Sequence, residues 1–163
     1  MQEHNRHMTP DERVRTALAH KEPDRIPFDL GSTKMTGISI RAYRNYIGYK
    51  GCQDLDPEPA ILDPVQQLAL VHETVLERLH VDTRGLLPGP PSGYQTVYRE
   101  ENGYTWFTDE WGIVWKMPIT DGHYFDMTAH PLGGDLTPAD LERYPWPDPR
   151  DMARTAEIGR AHV

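Results

Sequence analysis

Residues 25–33 read RIPFDLGST, a short apolar run closed by Gly31, Ser32 and Thr33. An apolar run of this length, bounded by turn residues, predicts a buried strand feeding a loop. What flanks it decides the fold class. Upstream, TPDERVRTALAH (9–20) places Thr9 as a cap, Pro10 at the first helical position and Glu12 three residues after the cap. That is a capping box, and it predicts a short amphipathic helix carrying Val14 and Leu18. The helix stops near Pro23, which disfavours helix at the residue before it. Downstream, GISIRAYRNYIGYKG (37–51) spaces Ile40, Tyr43 and Ile47 along one helical face and ends at Gly51. In DPVQQLALVHETVLERL (63–79), Asp63 caps, Pro64 opens, and Val65, Leu68, Val75, Leu76 and Leu79 fall on one side, predicting a third and longer helix. HVDTRGLLPGPP (80–91) then predicts a second short strand, stopped by its Pro-Gly cluster. Strand, helical connection, strand is the opening of an α/β fold with a parallel sheet. A parallel pair needs cover on both faces and neighbours at its edges, so the pattern looks unfinished.

The period changes after residue 91. YQTVYRE (94–100), YTWFT (104–108) and GIVWKMP (112–118) are rich in aromatic and β-branched residues, and Asn102-Gly103 lies where a tight hairpin turn is expected. DEWG (109–112) joins the second run to the third, so the reading is a three-stranded antiparallel flap. LTPADLERYPWPDP (136–149) repeats the cap logic with Thr137, Pro138 and Asp140, and Pro145, Pro147 and Pro149 end the helix. There is no internal repeat and no low-complexity tract.

The chain has 163 residues, enough for one ordinary domain, and a formal net charge of −8. No block of Lys and Arg forms a stripe that would follow a phosphate backbone, so nucleic acid is not an expected partner. Cys52 is the only cysteine, which excludes an intrachain disulfide and a multi-cysteine zinc site and fits a reducing cytoplasm. No apolar run approaches the roughly 20 residues that span a bilayer, so no membrane association is expected. The end of the chain raises a separate expectation. EIGRAHV back-translates as GAG ATC GGA AGA GCA CAC GTC, which from its second base looks like a widely used short-read sequencing adapter, and the adapter continues with a stop codon in that frame. Residues 158–163 are therefore expected to be adapter-encoded, leaving 1–157 as the protein proper.

The ordered series MTPDERVRTALAHKEPDRIPFDLG, GISIRAYRNYIG, DPVQQLALVHETVLERLHVDTRG, DEWGIVWKMP and HPLGGDLTPADLERYPWPDP resembles the N-terminal half of the uroporphyrinogen decarboxylase family, which also contains cobamide-dependent methyltransferases. The resemblance runs over about residues 8–155. It implies a truncated (β/α)8 TIM barrel, with the first strands and helices only and an antiparallel β-ribbon insertion, since such barrels typically need about 250 residues. It also implies a small-molecule substrate. Porphyrinogen decarboxylases carry an arginine-rich RQAGR loop after the first strand and a catalytic aspartate at the end of the second. Here those positions read GSTKMTGIS and RGLLPG, so the resemblance is closer to the methyltransferase-like branch. That branch transfers a methyl group from a corrinoid to a thiol, with a corrinoid protein as partner, and its zinc site uses a His-x-Cys pair and a later Cys from the second half. This chain carries none of those ligands, so no cofactor is expected in it. Decarboxylation of a tetrapyrrole or related carboxylate and a non-catalytic binding module are the alternatives, and the fragment by itself is expected to be inactive.

Barrel enzymes work at the C-terminal ends of their strands, which makes the residues leaving each strand the substrate-binding candidates. Asp29 with Ser32 and Thr33 leaves the first. The small residues would let backbone N–H groups approach an anionic substrate group, or Asp29 caps its own turn. On the second strand Asp82 and Arg84 alternate to one face and Thr83 and Gly85 to the other. Arg84 would hold a carboxylate bidentately, or pair internally with Asp82 or lie at the surface. Glu110, beside Trp111, would have a raised pKa and act as a general acid, or DEWG is turn chemistry built on Asp109 and a positive φ at Gly112. His72 and His80 are eight apart, whereas metal pairs on a helix usually sit four apart. His4, His7, His20, His123 and His130 show no metal-ligand spacing along the sequence. No catalytic residue and no metal ligand is assigned.

Overall fold

Ser39 begins the segment that organises the N-terminal part of the molecule. Its hydroxyl accepts from the N–H of Ala42, and the helix it caps, Ile40–Tyr49, buries Ile40, Tyr43 and Ile47. The computed structural model describes residues 7–155, so the tail at 158–163 and His4 lie outside the described residues. The chain divides into two compact units, one formed by residues up to 63 together with 68–85, the other by 64–67 together with those from 86 on.

In the first unit the helices are α1 (Pro10–Leu18), α2 (Ile40–Tyr49) and α3 (Glu73–Arg78), with strands β1 (Ile61–Asp63) and β2 (Leu68–Ala69) paired antiparallel. The Thr9–Glu12 capping box of α1 is present as expected. Its apolar face is only partly covered: Val14 is half-buried, Leu18 is 75% exposed, and the only buried residue of the helix is Arg13. The apolar core gathers Tyr43 and Ile47 from α2, Ala69 and Val71 from and after β2, and Val75, Leu76 and Val81 from and after α3. Gly51 takes φ +61° just after α2.

The second unit holds a four-stranded antiparallel meander, β3 (Arg99–Glu101), β4 (Tyr104–Thr108), β5 (Val114–Pro118) and β6 (Asp126–Ala129), followed by α4 (Pro138–Arg143). Asn102 and Gly103 both have positive φ, 51° and 80°, the backbone a two-residue hairpin turn needs to match strand twist. The register sets Phe107 opposite Trp115, and their rings join Tyr98 and Phe125 in one aromatic cluster. The flap is thus four-stranded rather than three. DMTA (126–129) has one β-branched residue and all four of its residues are exposed, so its strand is set by pairing with β5 alone. Helix α4 carries the Thr137–Asp140 capping box and stops before Pro145.

The expected truncated (β/α)8 barrel is not the fold of this chain. Both sheets are antiparallel, and no β/α repeat occurs among the described residues. Residues 25–33 are not a strand: Pro27 has no N–H to give a ladder, and Ile26 is 86% exposed. One backbone bond, from Asp82 N–H to the Phe28 carbonyl (2.8 Å), links this segment to residues 81–85, which form no strand either. The third helix is also shorter than its periodicity predicts. Gln67 takes φ +54°, its side-chain amide donates to the Pro64 carbonyl, and Ala69 N–H donates to Ile38. These contacts turn 61–69 into a hairpin, and helix begins only after His72, whose Nδ1 caps Thr74 N–H. LALV reads equally as a buried strand or a helix face, and the backbone at 38–39 selects the strand. No helix among the described residues is long and apolar enough to cross a membrane.

Candidate functional site

The sequence candidates of the first unit meet around Asp29. Its carboxylate accepts from Ser32 Oγ (2.7 Å), Ser32 N–H (3.3 Å) and Thr83 Oγ1 (2.6 Å). Burial by itself would raise the Asp29 pKa, but hydrogen bonds from Ser32, Thr83 and Thr36 outweigh it and hold the carboxyl below its ordinary value. Residues 28–32 and 82–85 run alongside each other in the same direction, Phe28 by Asp82, Asp29 by Thr83, Ser32 by Gly85. The approach at Gly85 is close enough that a Cβ there would lie 2.4 Å from the Ser32 carbonyl oxygen, which only glycine avoids.

The loop after Asp29 is closed on itself. Gly31 N–H donates to the Thr36 carbonyl, Ser32 N–H to Asp29 and Thr33 N–H to Thr36 Oγ1, while Thr33 Oγ1 accepts from Met35 N–H. The donors that would have cradled an anion are engaged, and Asp29 caps its own turn. Lys34, next in the chain, pairs with buried Asp63 at 2.5 Å.

Arg84 follows Thr83, but its fork points to Glu73 in the first turn of α3: Nε donates to both carboxylate oxygens at 2.9 Å and Nη2 to one at 2.7 Å. Nη1 donates to the carbonyls of Val81 and Thr83. The Arg84 guanidinium in turn holds the Glu73 carboxyl below its ordinary pKa. Arg84 therefore ties the start of α3 to the segment after it. The pair is exposed, so Arg84→Lys, which keeps the charge and loses the planar fork, is expected to lower stability by no more than about 1 kcal/mol in a thermal melt. A larger loss would mean the fork anchors more than Glu73. Asp82 does not pair with Arg84 by hydrogen bond. It takes Arg13 (2.5 Å), Arg25 (2.6 Å) and the N–H of Phe28 (2.8 Å) instead.

Glu110 belongs to the second unit, where it forms an ion pair with Arg154. Both line a cleft with about 500 Å³ of empty space open to solvent, whose walls include Tyr94, Pro147, Asp148 and Asp151. Asp151 accepts from the N–H groups of Ser92 (2.6 Å) and Ala153 (3.0 Å), which keep its carboxyl below its ordinary pKa. The turn reading of DEWG describes its Asp109: one carboxylate oxygen accepts from the Trp111 and Ile113 N–H groups, the other from Trp115 Nε1, and Gly112 has φ +71°.

Sequence reasoning missed Arg13, Arg25, Thr83, Glu73 and Arg154 as partners of the candidates. Their separations, up to 69 residues, follow no local period. The one usable signal was alternation along 82–85, which sends Thr83 and Gly85 towards Asp29 and Ser32 and Asp82 elsewhere. Among the described residues no three of His, Cys, Asp and Glu come together as a metal site. Buried Cys52 accepts from Arg78 Nη1 at 2.8 Å, and His72 and His80 sit at the two ends of α3. No family model matches the chain, and neither a curated protein nor a solved structure matches it.

Proposed function

We propose that the chain is the N-terminal part of an enzyme related to the uroporphyrinogen decarboxylase family, and that this enzyme is methyltransferase-like, moving a methyl group from a corrinoid to a thiol. The ordered series of motifs over residues 8–155 supports the relationship. The observation that favours methyl transfer over porphyrinogen decarboxylation is the closed donor set around Asp29. A substrate bearing several carboxylates needs several open cationic or N–H donors, yet Arg13, Arg25, Lys34 and Arg84 are each held by carboxylates of this chain, and the N–H groups of residues 31–33 bond within their own loop. Asp29, kept ionised, offers acceptor oxygens suited to a neutral or cationic group. The described residues do not fit a zinc site, so no step of this reading passes through zinc held by this chain.

The test is the source gene read past the codon for Thr155. A downstream His-x-Cys pair and a distant Cys are expected, and the extended protein should consume methylcobalamin only when a thiol acceptor is present. Release of carbon dioxide from uroporphyrinogen by that protein, with no methyl transfer, would establish the decarboxylase instead. Neither activity, with tight binding of a small ligand, would leave a binding module.

A further inference from the structure

Helix α1 places no residue in the apolar core of the first unit, and its apolar Val14 and Ala17 are only half-buried. Its single buried side chain is a guanidinium, 1% exposed. Arg13 Nη1 donates to Asp82 Oδ1 (2.5 Å), Nε and Nη2 donate to Asp24 (2.6 and 2.9 Å), and Nη2 also donates to the Met8 carbonyl (2.6 Å). These partners divide into two groups. Asp24 and Met8 lie on the same stretch of chain as α1, whereas Asp82 lies on the segment after α3. Only the bond to Asp82 fastens Arg13 to the rest of the unit.

Each side keeps a counter-ion if that bond opens. Arg13 retains the bidentate Asp24, and Asp82 retains Arg25, two of whose nitrogens donate to it (2.6 and 2.9 Å), as well as the N–H of Phe28. Breaking a buried ion pair is destabilising chiefly because a charge is left buried without a partner. Here neither charge is left so. The apolar core contributed by α2, β2 and α3 loses no member when α1 leaves. We propose that α1 is a charge-docked latch, a helix held on the first unit through Arg13 and Asp82 that detaches as one piece while the apolar core stays closed.

The charges around the latch set the direction of its pH response. Asp82 faces Arg13 from α1 and Arg25 from the segment after it, and Arg84, itself held by Glu73, also feels its charge. Asp24 faces Arg13 from the other side, and Arg25 also donates to the His80 carbonyl. The remaining charged pair of α1, Asp11 with Arg15, is exposed. For Asp82, burial pushes the carboxyl up, but the Phe28 N–H, Arg25 and Arg13 bring it below its ordinary value. Arg13 also lowers Asp24, but that pair stays together when the latch opens, so the pH response rests on Asp82. A carboxyl depressed in the folded state stabilises above its unfolded pKa of about 4 and loses that contribution as pH falls through its folded value. The latch is thus closed at neutral pH and opens in acid.

Amide hydrogen exchange on the whole chain tests this, with Arg13→Gln beside the parent at neutral pH. Amides of α1 should exchange at least about tenfold faster in the variant, since a hydrogen bond between charged groups is lost, while those of α2 and α3 keep their protection. Equal loss across α1, α2 and α3, or no change in α1, overturns the proposal. If the variant does not fold, an acid titration of the parent decides: α1 losing protection at a higher pH than α2 supports the latch, and simultaneous loss refutes it.

Discussion

Tyr43→Ala is expected to destabilise the first unit by about 3–5 kcal/mol, the range for deleting a large buried aromatic ring. Tyr43 is 1% exposed, at the centre of the cluster that joins α2 to β2 and α3. Its hydroxyl donates to Asp56 Oδ2 (3.0 Å) and accepts from His72 N–H (3.1 Å), and burial pushes its pKa up to about 12. Tyr43→Phe separates ring from hydroxyl. It keeps the packing but leaves the His72 N–H without its acceptor, and is expected to cost about 1–2 kcal/mol. The phenylalanine arm also tests the chain path. In a continuous helix over residues 64–79 the His72 N–H would be satisfied within the helix, and Tyr43→Phe would be close to neutral. Denaturant unfolding of the parent and both variants reads the two losses.

Phe107→Ala is expected to have an effect of the same size, about 3–5 kcal/mol, on the second unit. Phe107 is 3% exposed and meets Phe125 edge-on with centroids 4.9 Å apart, Tyr98 at 5.5 Å and Trp115 at 6.3 Å. Such ring pairs add about 0.5–1.5 kcal/mol beyond burial, and Phe107 belongs to several at once. Phe107→Leu keeps most of the apolar volume and loses only the ring geometry, so its loss should fall below that of Phe107→Ala. Near-ultraviolet circular dichroism, sensitive to Trp115 and Tyr98, would report loosening of the cluster before the sheet is lost. An alanine variant as stable as the parent would mean that the meander is held by its hydrogen bonds alone.

The two anchors differ in how far they could be read in advance. Tyr43 lies on a helix whose spacing of Ile40, Tyr43 and Ile47 already marks a buried face, and all of those residues are buried. Phe107 lies in a run rich in aromatic and β-branched residues beside an Asn-Gly turn, and the hairpin forms there with the expected backbone. Its partner Phe125 was not foreseen, because it precedes a strand, β6, of four exposed residues that pairs only with β5. Among the site candidates, the Asp29 turn was legible because an Asp three residues before a Ser bonds locally. The partners of Arg84 and Glu110 were not, since Glu73 and Arg154 lie 11 and 44 residues away in the chain.

Local chemistry was therefore determined by the sequence itself: the capping boxes of α1 and α4, the buried face of α2, the hairpin at Asn102-Gly103 and the turn built on Asp109. Each depends on groups within a few residues of one another, and their geometry is set by backbone dihedrals and short-range hydrogen bonds. Tertiary structure alone decided three other things. Whether 25–33 and 81–85 became strands depended on a ladder that Pro27 and a single backbone bond do not supply. Whether 61–69 became helix or hairpin depended on the backbone of residues 38–39, and the burial of Arg13 of α1 depended on a carboxylate 69 residues away, at Asp82. Periodicity records which residues prefer to leave water, but an apolar run such as LALV satisfies that preference in either backbone. The choice belongs to the distant groups that complete its hydrogen bonds and balance its charges.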